Sequence, residues 1–584
     1  MQRCVPAEKY TDVLMGRPGE GMEKIWLQSY PEGVAHEIPL DDIGSIGEYF
    51  DDIVARHGQR PAFISGSTGV SLTYAQLQAL SGRVAAYAQQ RLGFKPGTRV
   101  ALMMPNLLQF PVCMLGLLRA GCVVVNVNPL YTPRELRHQL IDSGAEAMIV
   151  AEPFAATVEK ALVGSAVRHV VVSELTDLMP GPKRLIGNFL IRYVKRLIPA
   201  YNLPGHARLR QVLNDDGLRL GSSIRVLPDD LAFLQYTGGT TGVSKAAMLT
   251  HRNVLANARQ GLAWCRPFLD ADEAPVNITA IPLYHIFALG NCFGFAGLGG
   301  ANVLVADPRN TTEFVRVLRR YPFTSIPAVN TLFNDLTRHP DFPKVDFSRV
   351  RIAIGGGTAV QRPVAERWQQ ITGAPLIEGY GLTECSPTVS ANPFNLSAFN
   401  GSIGLPMPST EVSIRDAQGQ ELGLGEAGEL CVRGPQVMAG YWQRPEETAR
   451  VMTPDGFLRT GDLATMDERG FLRIVDRLKD MILVSGFNVY PNEIEEVVMM
   501  HPEVLEVAAV GRPDPSSGER VLVYVVRRSP TLDAQALIAH CRQHLTRYKV
   551  PAQVEFLPEL PKSNVGKILR RELRERAQSC SAGA

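Results

Sequence analysis

A chain of 584 residues is too long for one ordinary core, so it predicts at least two domains, and a hydrophobic content of 45% supports well-packed ones. Lys+Arg of 60 against Asp+Glu of 58 leave a formal charge of +2, which excludes a bulk electrostatic drive toward nucleic acid. The nine cysteines are scattered without a C-x-x-C pair, which argues against a disulfide framework or a cysteine-based zinc or redox site and fits a reducing cytoplasm.

Residues 1–21 are rich in Gly, Pro and charge and lack periodicity, so they read as a disordered extension with Met22 as an alternative start. Helices are expected at Gly44 to His57 and Thr73 to Leu92. A strand at Arg99 to Met104, an apolar helix at Leu107 to Ala120, and strands at Cys122 to Val127 and Ala147 to Ala151 alternate as βαβαβ. The helix before the last strand opens on Thr132-Pro133-Arg134-Glu135, which combines an N-cap, a first-turn proline and a capping-box glutamate. A mostly parallel sheet covered by helices follows.

Lys183 to Ile198 carries apolar residues at Ile186, Phe189, Leu190, Tyr193, Val194 and Leu197, with Arg192, Lys195 and Arg196 on the other side at helical spacing. Two readings stay open for this basic amphipathic helix: packing on its own domain, or contact with a membrane surface. Ala280 to Ala306 is uncharged and long enough to resemble a membrane span, but its Pro282, His285, Asn291, Asn302 and glycines suit a buried strand and a packed helix better.

The apolar run Leu231 to Leu234 leads into Tyr236-Thr237-Gly238-Gly239-Thr240-Thr241-Gly242-Val243-Ser244-Lys245. Glycines that let backbone N–H groups converge, several hydroxyl donors and a lysine suit a polyphosphate. The spacing is not that of G-x-x-x-x-G-K-[ST], because Val243 and Ser244 separate Gly242 from Lys245. Further on, Val350 to Ile354 is a strand ending in Gly355-Gly356-Gly357, where something flat can lie against the backbone. Ile377-Glu378-Gly379-Tyr380-Gly381-Leu382-Thr383-Glu384 repeats that logic, with Tyr380 presenting a ring face and Glu384 a hard oxygen ligand for magnesium. Glu429 to Arg433 belongs to a β-rich region leading into Thr460-Gly461-Asp462, where an aspartate in a tight turn is either a turn residue or an acceptor for ribose hydroxyls. Asp476-Arg477-Leu478-Lys479-Asp480 is a charged break between two β runs and reads as a boundary and hinge. Strands and helices then alternate: Pro491 to Met500, Glu506 to Val510, Val521 to Val526, Ala534 to Leu545 and Gln553 to Leu557. The polar loop Pro561 to Lys567 precedes a basic helix.

Together, Thr237 to Lys245, Gly379 to Glu384, Thr460 to Asp462, Arg477 to Asp480 and Pro561 to Lys567 resemble the adenylate-forming superfamily of acyl-CoA synthetases, luciferases and nonribosomal adenylation domains. The resemblance runs from about Met22 to about Arg574. Pro282-Leu283-Tyr284-His285-Ile286-Phe287, Asn126-Val127-Asn128-Pro129 and Ser485-Gly486-Phe487-Asn488-Val489-Tyr490-Pro491 place it nearest the bacterial long-chain fatty acyl-CoA synthetases.

The fold so implied is α/β: a large N-terminal domain (22–476) of layered α/β subdomains with a β-rich portion, a hinge (477–480), and a small mobile α+β C-terminal domain (481–584). The resemblance implies that a fatty acid is first converted by ATP and Mg2+ to an acyl-adenylate, and that coenzyme A then displaces AMP. In that scheme Thr237, Gly238, Gly239, Thr240, Thr241, Gly242 and Lys245 hold the β and γ phosphates, with Glu384 and Thr237 on magnesium. Gly355, Gly356, Gly357, Glu378, Gly379 and Tyr380 flank adenine, Thr383 approaches the α-phosphate, and Asp462 and Arg477 hold the ribose. Lys567 bridges the carboxylate and the α-phosphate, His285 lies between the nucleotide and acyl pockets, Lys479 is the hinge residue, and pantetheine lies against Gly486. Ser244 and Ala246 stand where many members carry Pro and Gly. Leu483 and Ser485 replace lysines common in aryl-CoA ligases and luciferases, which favours the fatty-acyl branch. A medium-chain, aryl or acyl-carrier-protein ligase, or a fatty-acid-binding protein without turnover, is the alternative. The location expected is cytoplasmic, with peripheral contact at the inner membrane surface left open.

Overall fold

The parallel order read between residues 99 and 151 is the middle of a larger sheet in the computed structural model, which describes residues 24–219, 224–237, 244–270, 273–485, 487–514, 517–563 and 566–579. Arg99–Met103 lies between Val123–Asn126 and Ala147–Ala151, and all three are fully or largely buried. A strand covered on both faces cannot alternate apolar with polar residues, which is why these read as continuous Val, Ala, Ile and Met runs. The sheet extends through His169–Ser173 to Ala207–Arg208 on one side. On the other it extends through Leu231–Thr237 to Lys245–Thr250, the only antiparallel partner among its described strands.

The helix Pro133–Ser143 starts as its sequence dictates. Thr132 Oγ1 accepts the Glu135 N–H at 3.3 Å, the Glu135 carboxylate accepts the Thr132 N–H at 2.8 Å, and Pro133 occupies the first turn. The expected helices at the N-terminus are Ile46–His57 and Tyr74–Gln90.

A second sheet contains nine described strands, and its parallel centre includes Val276–Thr279, Ser325–Ala328, Ile352–Gly355 and Ile377–Gly381. The uncharged stretch from Ala280 supplies the buried helix Ile286–Gly297 and the buried strand Ala301–Leu304. Among the described residues no helix is long and apolar enough to cross a membrane. A third, antiparallel sheet of four strands runs from Glu411–Arg415 through Gly428–Arg433 and Leu458–Met466 to Leu472–Arg477. Asp462 therefore sits within a strand, not in the tight turn expected for it. Its neighbour Gly461, at φ +74°, lies between Arg459 and Leu463, where the pairing with Gly428–Arg433 shifts register.

These three sheets form the large N-terminal domain. Among the described residues the small C-terminal domain has its own five-stranded sheet, built on the hairpin Val504–Asp514 and Gly518–Arg527 and flanked by two apolar clusters. Its helices Pro491–Met499 and Ala534–His544 and its strand Gln553–Phe556 follow the expected order.

A second expectation is also corrected. The stretch Lys183 to Ile198 is α-helical only over Gly181–Phe189 and continues as a π-helical turn over Leu190–Val194. Arg196 then adopts φ 49°, and Pro199 biases Ile198 away from helix. Arg192 is not on a free basic face, because it pairs with the buried Glu152 and, at 3.3 Å, with Glu174. Seven apolar side chains, Leu185, Ile186, Phe189, Leu190, Tyr193, Val194 and Leu197, are exposed instead, which overturns the reading of a helix packed down by its apolar side.

Candidate functional site

The candidate residues gather where parallel strands end. Leu231–Thr237 finishes at Thr237, which is the register partner of Lys245 on the next strand, so the two flanks of the Gly- and Thr-rich loop are fixed side by side. Gly238, Gly239, Thr240, Thr241 and Gly242 lie outside the described residues. Ser244 Oγ donates to the Thr237 carbonyl, and Ala246 is buried in the sheet core, so the two departures from the usual loop pattern fit this strand pair. Ligand sites at the carboxyl ends of parallel strands are the general outcome of such sheets.

Ile352–Gly355 and Ile377–Gly381 end side by side in the second sheet, with Gly355 opposite Glu378. The glycines serve packing as much as access. A Cβ on Gly355 would stand 2.2 Å from Val360 Cγ2, and one on Gly379 would stand 2.8 Å from Ile354 Cδ1. Gly356 lies under the Phe287 ring, 3.1 Å from where its Cβ would be, and Gly357 has φ +76°. The Glu378 carboxyl is buried and accepts the Val360 N–H at 3.2 Å, bracing the turn that follows Gly357 from behind. Burial pushes it up to about 8, so it is protonated at neutral pH.

Tyr380 donates from Oη to Asp462 Oδ2 at 2.6 Å, while Arg477 Nε pairs with Asp462 Oδ1 at 2.9 Å. Asp462 and Arg477 are register partners on adjacent strands, so the sheet itself delivers the pair. Burial and the Asp462 charge hold the Tyr380 phenol well above its ordinary value, and it stays a donor. Thr383 opens a single 3-10 turn, Thr383–Cys385, which carries Glu384 toward the Lys245 strand. Glu384 accepts a hydrogen bond from Tyr441 Oη at 2.7 Å.

His285 caps the helix Ile286–Gly297, its Nδ1 accepting the Phe287 N–H at 3.3 Å. Burial and the nearby Lys567 cation push His285 down to about 4, so its ring is neutral. The loop that presents it is anchored by residues to which sequence motifs gave no role. Asn106 donates to the carbonyls of Thr279 and Ile281, both at 3.0 Å, and accepts the Leu283 N–H at 2.7 Å. Gln235 donates to the Tyr284 carbonyl at 2.7 Å and accepts from Asn126 at 2.9 Å, which ties the two sheets together beneath the site.

Lys567 comes from the C-terminal domain on a short turn in which Ser563 N–H donates to the Lys567 carbonyl at 2.7 Å. The turn lies against the helix Asn330–Arg338 of the N-terminal domain: Thr331 Oγ1 is 3.4 Å from the Gly566 carbonyl, and a Cβ on Gly566 would stand 2.7 Å from that hydroxyl. Gly566 has φ +79°, so both space and backbone demand glycine. Burial first, then the cation of Arg477, push Lys567 down to about 7, with Asp462 acting in the opposite sense. Lys479 is pushed down to about 8 by the same two causes. Thus Lys567, Arg477, Asp462, Lys479 and His285 share one electrostatic neighbourhood, and the resemblance's widely separated motifs converge.

Across the turn 478–481, Asp476 accepts the N–H groups of Arg477, at 2.7 Å, and Asn492, at 3.0 Å. Arg574 donates to the Lys479 carbonyl and to Asp480. These contacts fasten the C-terminal domain at its root, and only the charge density of the stretch signalled them. Gly486 lies outside the described residues.

Comparison with known proteins agrees with this geometry. The AMP-binding enzyme family matches residues 50–442, and the AMP-binding enzyme C-terminal domain matches residues 493–567. Over 558 residues the chain is 54% identical to a long-chain-fatty-acid–CoA ligase of Escherichia coli O157:H7, covering 95% of this chain and 99% of that one. A Bacillus subtilis protein of the same name is 35% identical over 95% of this chain and 98% of its own. Among solved structures, ATP-bound MatB from Rhodopseudomonas palustris superposes with a TM-score of 0.79 at 28% identity, covering 91% of this chain and 99% of that one.

Proposed function

This chain belongs to the AMP-binding enzyme family, and from that premise we propose that it is a long-chain fatty acid:CoA ligase working through an acyl-adenylate. A carboxylate is a poor acylating agent because its leaving group would be oxide. Attack of a carboxylate oxygen on the α-phosphorus of ATP, with departure of pyrophosphate, replaces that group with AMP. The thiol of coenzyme A then attacks the acyl carbon, and AMP leaves.

The observation that carries this reading is the position of Lys567. A partly desolvated lysine on one domain is brought over the Asp462–Arg477 pair and the neutral His285 of the other. In this reading Asp462 and Arg477 orient the ribose, the Gly355 to Gly357 turn and Tyr380 flank the base, and Thr383 faces the α-phosphate. Lys245, Thr237 and the glycines between them hold the outer phosphates. Lys567 offsets the negative charge that gathers as carboxylate and phosphate approach, which neither reactant does for itself. A neutral His285 suits the boundary with an acyl pocket, since it adds no charge beside an alkyl chain.

Magnesium normally binds through one or two protein oxygens plus substrate phosphates, and Glu384 with Thr237 fits that modest donor set. When bound it neutralises charge on the phosphates. The domain limits 22–476, 477–480 and 481–584 follow from the same reading, with rotation about Lys479 exchanging the Lys567 surface for that of Gly486 between the two steps.

Pyrophosphate release and thioester formation, assayed with long-chain, medium-chain and aryl acids and with coenzyme A or a carrier-protein thiol, test the proposal. Long-chain acids with coenzyme A are expected to give both products. Release with aryl acids alone, or thioesters on the carrier protein alone, would move the chain to another branch of the family, and no release with any acid would make it a binder.

A second reading, peripheral membrane contact, is favoured by the seven exposed apolar side chains between Leu185 and Leu197, flanked by exposed Lys183, Lys195 and Arg196. An apolar face with cations at its margin suits an anionic lipid surface. Phe189→Ser with Tyr193→Ser is expected to reduce co-sedimentation with anionic vesicles while leaving turnover of a dissolved acid unchanged, and undiminished sedimentation would refute it.

A further inference from the structure

The two groups assigned to the outer phosphates and their metal, Lys245 and Glu384, are both held by one segment that the motif reading left without a role. Residues 439–442 run along the strand Lys245–Thr250. The Trp442 N–H donates to the Ala246 carbonyl at 2.9 Å, the Met248 N–H to the Gly440 carbonyl at 2.9 Å, and Ala247 bridges Tyr441. The preceding Met438 N–H donates to the Glu384 carbonyl at 2.8 Å, so the segment spans from the Glu384 turn to the Lys245 strand.

Tyr441 stands at the centre of that span and is 8% exposed. Its N–H donates to Thr448 Oγ1 at 2.9 Å, its Oη donates to Glu384 Oε1 at 2.7 Å, and its ring lies 5.3 Å from Lys245 Nζ. One side chain thus orients a carboxylate through its hydroxyl and an ammonium through its π face. On the other side of Lys245, Glu447 forms an ion pair with its ammonium. Glu447 lies 3.8 Å from Arg444, which pairs with Asp142 at 2.8 Å, and Asp142 also accepts from Tyr236 Oη at 2.7 Å. The chain of contacts returns to the strand that leads into the phosphate loop.

We propose that Tyr441 is a positioning residue that sets Glu384 and Lys245 in register for nucleotide, and that Glu447 is an internal counter-ion which the phosphates of ATP displace from Lys245. The inference rests on the reading that Lys245 and Glu384 face the triphosphate and magnesium. A carboxylate and a phosphate compete for the same ammonium, so Glu447 lowers the affinity for ATP while holding Lys245 in place. Tyr441 acts on the other partner: without its hydroxyl, Glu384 loses its orientation.

The experiment is calorimetric titration of ATP into the full chain without fatty acid, once with magnesium and once with chelator. Tyr441→Phe keeps the ring and is expected to weaken binding about tenfold with magnesium, the scale of one hydrogen bond to a charged group, with little change in chelator. Glu447→Gln is expected to strengthen binding several-fold in chelator, and in turnover assays to lower the KM for ATP with kcat nearly unchanged. Lys245→Gln and Glu384→Gln test the underlying reading. If neither weakens ATP binding, the assignment of the phosphate site is wrong. If both weaken it while Tyr441→Phe matches the parent with magnesium and Glu447→Gln matches it in chelator, the phosphate site stands and this inference falls. Equal loss for Tyr441→Phe in both titrations, with a lowered melting temperature, would also overturn it, because that pattern is structural.

Discussion

Lys567→Met gives the sharpest consequence of the domain geometry, because it removes a charge and nearly conserves the stem. With the C-terminal domain closed, burial and Arg477 push Lys567 from 10.5 down to about 7. When the domain swings away, the ammonium regains water and its ordinary value. The closed state thus binds fewer protons than the open state between pH 7 and 10.5, so closure becomes more favourable as pH rises through that window and is insensitive to this lysine below it. At pH 7 the difference corresponds to about 4 kcal/mol against closure, and solvent still reaching part of the side chain lowers the working figure to about 2–4 kcal/mol. Lys567→Met is expected to close more readily than the parent at pH 7, to show a weaker pH dependence, and to release pyrophosphate about 100- to 1,000-fold more slowly. Energy transfer between dyes on side chains introduced at the exposed Gln418 and Gln535, one in each domain, measures closure directly. A parent protein whose closure is flat from pH 6 to 10, or a variant that titrates as the parent does, would refute the argument.

Three further outcomes follow. Glu378→Gln should raise the melting temperature at pH 8: the buried carboxyl is pushed up to about 8, so stability falls as pH climbs from 4.5 to 8, and the amide is free of that loss. The gain should amount to a few kcal/mol at most and vanish toward pH 4.5, and thermal melts across that range check both. Gly566→Val should slow adenylation at least tenfold and also lower the C-terminal domain's melting temperature, because φ +79° strains a β-branched residue in either arrangement while its Cβ meets Thr331 only when the domain is docked; partial-reaction rates and melts separate the two. Gly486→Leu should slow thioester formation from supplied acyl-adenylate while leaving pyrophosphate release intact, and equal damage to both steps would count against domain rotation.

Elements governed by local rules were legible in the sequence. The capping box at Thr132 and Glu135, the buried strands at 99–151 and the alternation after Pro491 all appear where their residue patterns put them. Asp462 and Arg477, proposed to hold the ribose, were named from two separate motifs, and antiparallel register joins them. What escaped depends on pairings between distant segments. Nothing around Tyr441 signals that its hydroxyl reaches Glu384, because the contact arises when residues 439–442 align with the strand Lys245–Thr250. Asn106 and Gln235 are ordinary polar residues in sequence, and only the approach of the two sheets gives them the loop carrying His285. For 183–198 the periodicity disclosed two faces without disclosing which one is covered. The answer lies in Glu152, a buried carboxylate in a different helical turn that draws Arg192 and Arg208 inward and leaves the apolar side outside.

The central claim is that a carboxylate oxygen becomes bonded to the α-phosphorus of ATP. Long-chain fatty acid carrying heavy oxygen at both carboxylate positions, turned over with ATP and coenzyme A, is expected to yield AMP one heavy oxygen richer, unlabelled pyrophosphate, and a thioester that keeps the other label. Unlabelled ADP beside labelled inorganic phosphate would place the attack at the γ-phosphorus and contradict the acyl-adenylate account.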